Sequence, residues 1–367
     1  MTFGVEDLKK TVLNQNLCTA CGACASLCPY IDIVEGRAVV FESCGLKEGK
    51  CYAFCPRTSL DVAALNHKIF GVDIVDHVLG FYKIMLQGRA KNPEICNAAQ
   101  YGGVVSALMA YALEIGEIDC AVLVESSDGV TPHPTMVRET AEVLKCARSK
   151  YLVCPTVSMV LEAAENENSS IGFVGTPCQV AALRKMQASE LKPEVNKIKL
   201  VVGLFCTWAL HPSANTFIKG KAGGEKILKL DVPPPPANIF AIQTEQRKVT
   251  IPLDELRRFI MPSCAVCFDM TNEFADISVG AVEGEENWNT IIARTNVGEG
   301  ILQRAINDGV LETKPLGKDK LKHLLEAALT RKKRVLTEAP PEKSVYLLLR
   351  EEYKSKILKM EVQDVSI

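Results

Sequence analysis

Charge of one sign is missing from this sequence: 42 Lys and Arg face 44 Asp and Glu, a net charge of −2. Without a basic excess to neutralise phosphates, nucleic acid is excluded as a partner. Long hydrophobic runs are missing as well. A membrane-spanning helix needs about 20 apolar residues. The longest apolar stretch, near Ile198–Leu210, falls short of that and reads as a buried strand. The N-terminus has no basic segment leading into an apolar one, which argues against a secretory signal. No complete G-x-G-x-x-G and no Walker sequence occurs, so neither a standard Rossmann dinucleotide site nor a P-loop is supported. The histidines (His67, His77, His133, His211 and His323) make no metal-like spacing. These absences point to a soluble, cytoplasmic protein, with attachment to the periphery of a membrane complex left open.

Cysteine, by contrast, is abundant: the chain has fifteen. Cys18-Thr-Ala-Cys21-Gly-Ala-Cys24-Ala-Ser-Leu-Cys28-Pro29 is the C-x2-C-x2-C-x3-C-P run of bacterial iron–sulfur ferredoxins. In such a run three thiolates hold one cubane, and the fourth, followed by proline, ligates the neighbouring cluster. A damaged copy follows: Cys51-x3-Cys55-Pro56 is intact, and Cys44 stands where two cysteines belong. A zinc site would call for pairs of C-x2-C, and a disulfide knot for an oxidising compartment. The spacing favours iron–sulfur clusters.

Hydrophobic residues make up 47% of the 367, enough for a sizeable core and for two or three domains. Residues 1–65 read as a ferredoxin-like module, in which clusters substitute for a core too small to hold alone. Residues 66–92, punctuated by Gly71, Gly80 and Gly88, read as a linker. Over 93–316 helices and strands alternate. The spacing predicts helices at Val104–Ile115, Ala141–Ala147 and Thr156–Asn166, and strands at Cys120–Glu125, Ile171–Gly175 and Ile198–Cys206. Strands apolar throughout and alternating with helices indicate an α/β, or mixed α+β, core around a largely parallel sheet covered on both faces. Pro132-His133-Pro134 reads as a loop, and Asp231-Val-Pro-Pro-Pro-Pro-Ala237 as a rigid loop opening an excursion. Residues 317–367 form a charged tail, helical in pattern, that docks on its own chain or on a partner.

Outside the module, Gly175-Thr176-Pro177-Cys178-Gln179 places a thiol at a strand-to-helix turn, where helix N–H groups favour thiolate. Cys206 ends an apolar strand. In a parallel sheet both would lie at strand C-terminal ends, where α/β proteins build their sites. Cys264-x2-Cys267 is a chelating pair on a loop. Four converging thiolates would complete a further 4Fe-4S site; zinc or a redox disulfide remains open for the pair, and a nucleophile for Cys178. Cys96, Cys120, Cys146 and Cys154 read as ordinary thiols. Gly102-Gly103 at a helix start suits a phosphate or flavin seat, or simply a packing turn.

Taken in order, Gln100-Tyr-Gly-Gly-Val-Val-Ser106, Ser149-Lys-Tyr151, Gly175-Thr-Pro-Cys-Gln179, Gly203-Leu-Phe-Cys206 and Cys264-x2-Cys267-x-Asp269, followed by Ala275-Asp-Ile-Ser-Val-Gly280, carry a resemblance. The chain resembles, over nearly all of residues 15–315, the beta subunits of coenzyme F420-reducing hydrogenases, F420-linked formate dehydrogenases and F420H2 dehydrogenases. The resemblance implies a flavoprotein whose 93–316 region is an FAD and 4Fe-4S catalytic core. It implies that Cys178, Cys206, Cys264 and Cys267 ligate a flavin-proximal cluster. It places Gly102, Gly103, Ser106, Lys150, Tyr151, Thr176, Asn289 and Thr290 near FAD or the deazaflavin coenzyme F420, the substrate, with Lys150 or Arg294 as a charge near the flavin. Hydride would pass between F420 and FAD, and single electrons through the clusters. No side-chain nucleophile is needed. The partners implied are hydrogenase, formate dehydrogenase, heterodisulfide-reductase-like or membrane-dehydrogenase subunits. The alternatives are a non-catalytic electron-transfer subunit, or a family reductase acting on another substrate. The ferredoxin half departs from the pattern, because two cubanes need eight cysteines. Cys18, Cys21, Cys24 and Cys55 hold one cluster. Cys28, Cys44 and Cys51 are left for another, which is 3Fe-4S, takes a non-cysteine ligand or borrows Cys96. Two to three clusters are expected in all.

Overall fold

The computed structural model describes residues 3–72, 76–166, 169–233, 237–340 and 346–362. The N-terminal module begins with the short helix Val5–Leu8 and a wider turn, Lys9–Leu13. The helix Ala23–Leu27 follows, then an antiparallel hairpin of β1 (Ile31–Val34) and β2 (Arg37–Val40), then the helix Lys50–Ala53. A two-residue strand, β3 (Leu60–Asp61), closes the module and leads into the helix Val62–Phe70.

The core is an eight-stranded sheet. Its strands are β4 (Ile84–Ala90), β5 (Cys120–Glu125), β6 (His133–Val137), β7 (Ile171–Gly175) and β8 (Ile198–Leu204). A smaller antiparallel sheet, β9 (Ile227–Asp231), β10 (Ile239–Thr244) and β11 (Lys248–Pro252), interrupts the series. β12 (Ile277–Val282), β13 (Glu285–Ala293) and β14 (Leu311–Pro315) complete the large sheet, in the order β14-β4-β13-β12-β8-β7-β5-β6. The central strands β12, β8, β7 and β5 run parallel, and antiparallel strands finish both sides.

Strand periodicity decides what covers each face. On β5, Cys120 and Val122 face the layer that holds the helices Thr156–Asn166 and Pro177–Gln187 and the ferredoxin module. Ala121 and Leu123 face the opposite layer, with the helices Val104–Glu114 and Asn296–Asn307. Both layers are apolar, which is why the strands read as continuous hydrophobic runs. Each Leu or Ile withdrawn from water here contributes about 1.5–3 kcal/mol.

Two stretches differ from the sequence expectation. Residues 66–92 are not a linker: they carry the end of the helix Val62–Phe70 and all of β4, which pairs with β13 and β14. Gly71 is that helix's C-cap, at φ +74°. Gly88 is a packing glycine and no turn, since a Cβ there would meet Ile291 Cδ1 at 2.4 Å. Pro134 lies in β6 and not in a loop, opposite Val124. β6 is an edge strand, where a missing N–H costs no ladder bond. Of the proline run, residues 234–236 lie outside the described residues.

The tail docks on its own chain. The helix Lys318–Glu338 packs beside the cores, β15 (Leu347–Leu348) pairs in parallel with β3, and the helix Glu351–Lys359 follows. Its anchor is buried: Lys332 Nζ lies 2.7 Å from Glu273 Oε1 and donates to His77 O and to Tyr353 Oη. Removing one member of a buried pair strands the other charge, at a cost of about 3–5 kcal/mol. Lys332→Met is therefore expected to lower the denaturation midpoint by a stability loss of that size. Lys332→Met/Glu273→Leu is expected to recover most of it, as read by chemical denaturation under anaerobic conditions.

Candidate functional site

β7 and β8 pair in parallel with Gly175 opposite Gly203, so the chain leaves both strands at one edge. Beyond Gly175, Thr176 caps the helix Pro177–Gln187; its N–H donates to Gln179 Oε1 at 2.8 Å, and Pro177 fills the first turn. Cys178 is thereby set at the helix start. Beyond β8, the Cys206 N–H donates to Met270 O at 2.9 Å, which joins this strand end to the loop of Cys264 and Cys267. Buried Asn272, at φ +61°, splints the two strand ends by donating its Nδ2 to Gly175 O (2.9 Å) and Leu204 O (3.2 Å). A Cβ at Gly203 would fall 2.3 Å from Asn272 Cγ, so the splint requires glycine there.

The four thiols are electrostatic neighbours. Burial, with the adjacent Cys264, Cys178 and Cys267, holds the Cys206 thiol well above its ordinary value. Burial pushes Cys264 up to about 11. At Cys267 burial acts in the same sense, but the guanidiniums of Arg57 and Arg331 outweigh it and hold the thiol below its ordinary value. Iron binding to buried protonated thiols releases their protons and stabilises the fold. Two arginines supply the counter-charge. Arg57 is buried, donates to Ser263 O at 3.3 Å and lies 4.9 Å over the Tyr346 ring. Arg331, from the tail helix, donates to Cys267 O at 2.9 Å, to Cys264 O at 3.2 Å and to Thr207 O.

The ferredoxin thiols fall into two further groups. Cys24 is raised by burial and then by Cys21, Cys55, Cys18 and Cys51. Cys51 is raised by burial and then feels Cys28 and Cys44. Cys18 Sγ accepts the Ala38 and Ala20 N–H groups at 3.2 and 3.4 Å. Cys96 joins neither group: it packs in the core on the far side of the sheet, with its thiol on Ala90 O. It is therefore removed as a source of the missing ligand. Among the described residues no three His, Cys, Asp or Glu side chains converge as a single metal ion requires. One zinc ion draws its thiolates to about 2.3 Å of a point, whereas a cubane spreads them over separate corner irons. A thiolate-only donor set in groups of four, four and three fits iron–sulfur clusters.

A cavity of ≈ 800 Å³ adjoins the Cys178 group, within the roughly 300–1,000 Å³ of ligand pockets. Gly103, Ser106, Lys150, Tyr151, Thr176, Asn289 and Thr290 line it, together with Cys178, Cys206, Cys264 and Cys267. Gly102 lies outside its wall; a Cβ there would meet Asn289 Oδ1 at 2.8 Å, so its role is packing. Gly103 caps the helix Val104–Glu114 at φ +73°. Asn289 accepts the Val104 N–H at 3.3 Å and donates to Gly280 O, so it holds that helix start against β12. Lys150 Nζ is spent on backbone carbonyls, Cys146 and Ala147 at 2.6 Å and Arg148 at 3.1 Å, and burial lowers its pKa to about 8. Arg294 is not in the cavity. It is fully buried and donates to Ser278 Oγ, Leu79 O, Phe81 O and Thr271 O, so it is a structural pin and not a charge beside a cofactor. Thr19 and Arg57 of the ferredoxin module and Lys320, His323 and Arg331 of the tail also line the cavity. None of these was singled out from the sequence. Only Arg57, directly after Cys55-Pro56, carried a positional signal.

Residues 85–161 match the family described as coenzyme F420 hydrogenase/dehydrogenase, beta subunit N-term, and residues 168–319 match its C terminus. Residues 11–30 match a 4Fe-4S binding domain. The coenzyme F420 hydrogenase subunit beta of Methanothermobacter thermautotrophicus is 35% identical over 246 residues, 65% of this chain and 86% of that protein. The chain belongs to the family of coenzyme F420 hydrogenase/dehydrogenase beta subunits. Family members named as parts of F420 hydrogenase and F420H2 dehydrogenase are oxidoreductases, and this chain is of that class. An F420H2 dehydrogenase subunit of Methanosarcina mazei is 28% identical over 78% of this chain and 82% of its own length. In the F420-reducing NiFe hydrogenase complex of Methanosarcina barkeri, one chain matches with a TM-score of 0.66 and 30% identity, over 72% of this chain and 94% of that one. No helix among the described residues is long and apolar enough to cross a membrane.

Arg331 is placed by the tail and binds the carbonyls of two site cysteines, each charge-assisted bond being worth about 1.5–3 kcal/mol. Arg331→Ala is expected to lower the iron content of the Cys178 group. The EPR signal of the ferredoxin clusters is expected to persist, as checked by iron analysis and EPR on one preparation.

Proposed function

We propose that this subunit exchanges hydride between coenzyme F420 and an FAD held in the cavity, and relays single electrons through 4Fe-4S clusters to or from a partner subunit. The observation that carries this reading is the shared wall: the same cavity is lined by seven of the eight residues expected near the flavin and by all four thiols of the third group. When bound, flavin supplies the conversion between two-electron and one-electron transfer, and the clusters carry the single electrons. The chain's own residues position and shield. Gly103 admits close approach at the helix start, and the Tyr151 ring, held by a 3.1 Å bond from the Val232 N–H, walls the far side. The tail helix closes the remaining side through Lys320, His323 and Leu324.

The thiol groups follow one another toward the surface. Cys178 interacts with Thr19, and Cys21 feels Cys178. Cys24 in turn feels Cys51, whose group includes half-buried Cys28 and Cys44. Next to Cys28 and Cys44 in the chain, Tyr30, Phe41 and Leu46 are exposed, Phe41 at 67% and Leu46 at 63%, and the Phe41 N–H donates to Tyr30 O at 2.9 Å. Exposed apolar side chains grouped like this mark an interaction surface, which suits a partner docked on the module. A hydrogenase-type subunit is the first candidate. Formate dehydrogenase, heterodisulfide-reductase-like and membrane-dehydrogenase subunits come after it.

Anaerobic mixing with reduced F420 is expected to bleach the flavin absorbance of the loaded protein. In Cys178→Ser the bleaching is expected to survive, while reduction of the ferredoxin clusters, read by EPR, slows at least tenfold. A flavin-loaded wild type that never bleaches would sink the F420 reading and leave a relay that accepts electrons elsewhere.

A further inference from the structure

The second half of the ferredoxin module is one thiol short, and local structure identifies what stands in its place. In the first half, Cys21 directly precedes Gly22, the cap of the helix Ala23–Leu27, and Cys24 is the second residue of that helix. In the second half, Glu48 directly precedes Gly49, the cap of the helix Lys50–Ala53, and Cys51 is its second residue. Cys55-Pro56 then follows as Cys28-Pro29 does in the first half. The two helices pack against each other, so the repeat is spatial as well as sequential. Glu48 therefore holds the station that Cys21 holds in the other half.

We propose that the Glu48 carboxylate is the fourth ligand of the cluster held by Cys28, Cys44 and Cys51. Three observations agree. Cys51 Sγ lies against Gly49, where a Cβ would meet it at 3.0 Å, and Cys28 and Cys44 are its electrostatic neighbours. Glu48 is exposed and, among the described residues, takes part in no hydrogen bond or ion pair, so its carboxylate is free to turn toward them. Among rival donors, Ser43 is engaged by Glu6, Cys96 packs on the other side of the sheet, and Glu42 aligns with Gln15, outside the cysteine run of the first half. A carboxylate oxygen is a harder donor than thiolate and binds cluster iron less firmly. The corner at Glu48 is thus the weakly held one, and it lies on the exposed loop of residues 42–49, next to the apolar surface where electrons leave. The inference rests on the iron–sulfur reading of the module and is independent of F420.

The test uses the full chain, purified anaerobically, with iron and sulfide analysis and EPR of the oxidised and reduced protein. The wild type is expected to show no oxidised 3Fe-4S signal. Glu48→Ala is expected to lose about one iron per chain and to gain that signal. Glu48→Cys is expected to keep the wild-type iron content, to stay silent when oxidised, and to change the EPR line shape of the reduced cluster. Glu42→Ala, an exposed carboxylate two residues before Cys44, is expected to match the wild type. A Glu48→Ala protein with unchanged iron and EPR overturns the proposal. So does a wild type already carrying the 3Fe-4S signal, or a loss produced by Glu42→Ala instead. If Glu48→Ala fails to fold, an unchanged line shape in Glu48→Cys overturns it alone. A module without iron overturns both this inference and the iron–sulfur reading.

Discussion

Parallel pairing of β7 with β8, Gly175 opposite Gly203, delivers two chain segments to the same edge of the sheet at the same height. Parallel strands always place their C-terminal ends together, and the helices that follow start there. Cys178 and Cys206 are carried to that edge by this geometry alone. The loop of Cys264 and Cys267 is then drawn in by the Cys206 N–H to Met270 O bond and by Asn272, which bonds the carbonyls of both strand ends. Disturbing the register by one residue would turn the alternating faces of β8 over and separate the thiols.

Gathering sulfur charge inside a protein has an electrostatic cost, and the structure offsets it from three directions. Arg57 comes from the ferredoxin module, Arg331 from the tail, and Lys185 from the helix Pro177–Gln187 that carries Cys178. Lys185 donates to Cys55 O and to Thr58 Oγ1, and burial lowers its pKa to about 8. Arg57 faces both thiol groups: burial raises Cys18, Cys55 and Cys178 and Arg57 acts against that rise, while at Cys267 Arg57 and Arg331 outweigh burial. A single buried guanidinium between two groups of thiolates binds module and core together. The module also shares one hydrophobic core with the helices Thr156–Asn166 and Pro177–Gln187 and does not hang on a linker.

Much of this was legible in the order of residues. The iron–sulfur motif lies in contiguous spacing, and Cys120–Glu125 and Ile171–Gly175 form strands with the bounds their apolar runs suggested. β4 was not legible, because its Gly88 signals a turn until Ile291 is seen to fill the space where a Cβ would be. The roles of Lys150 and Arg294 were not legible either. Each was read as a charge near the flavin, and only the fold shows that backbone carbonyls engage both.

Local features are therefore written into the order of residues: the thiol spacings, the helix starts, the buried strands and the family to which they belong. Those depend on neighbours a few residues apart, where chain connectivity sets the geometry. Which distant groups meet is settled only by folding. It brought the Cys178 group to a cavity, sent Arg331 across from the tail, and placed Cys96 behind the sheet. Each of these depends on strand order and packing, which close over many residues and leave no pattern in the sequence between them.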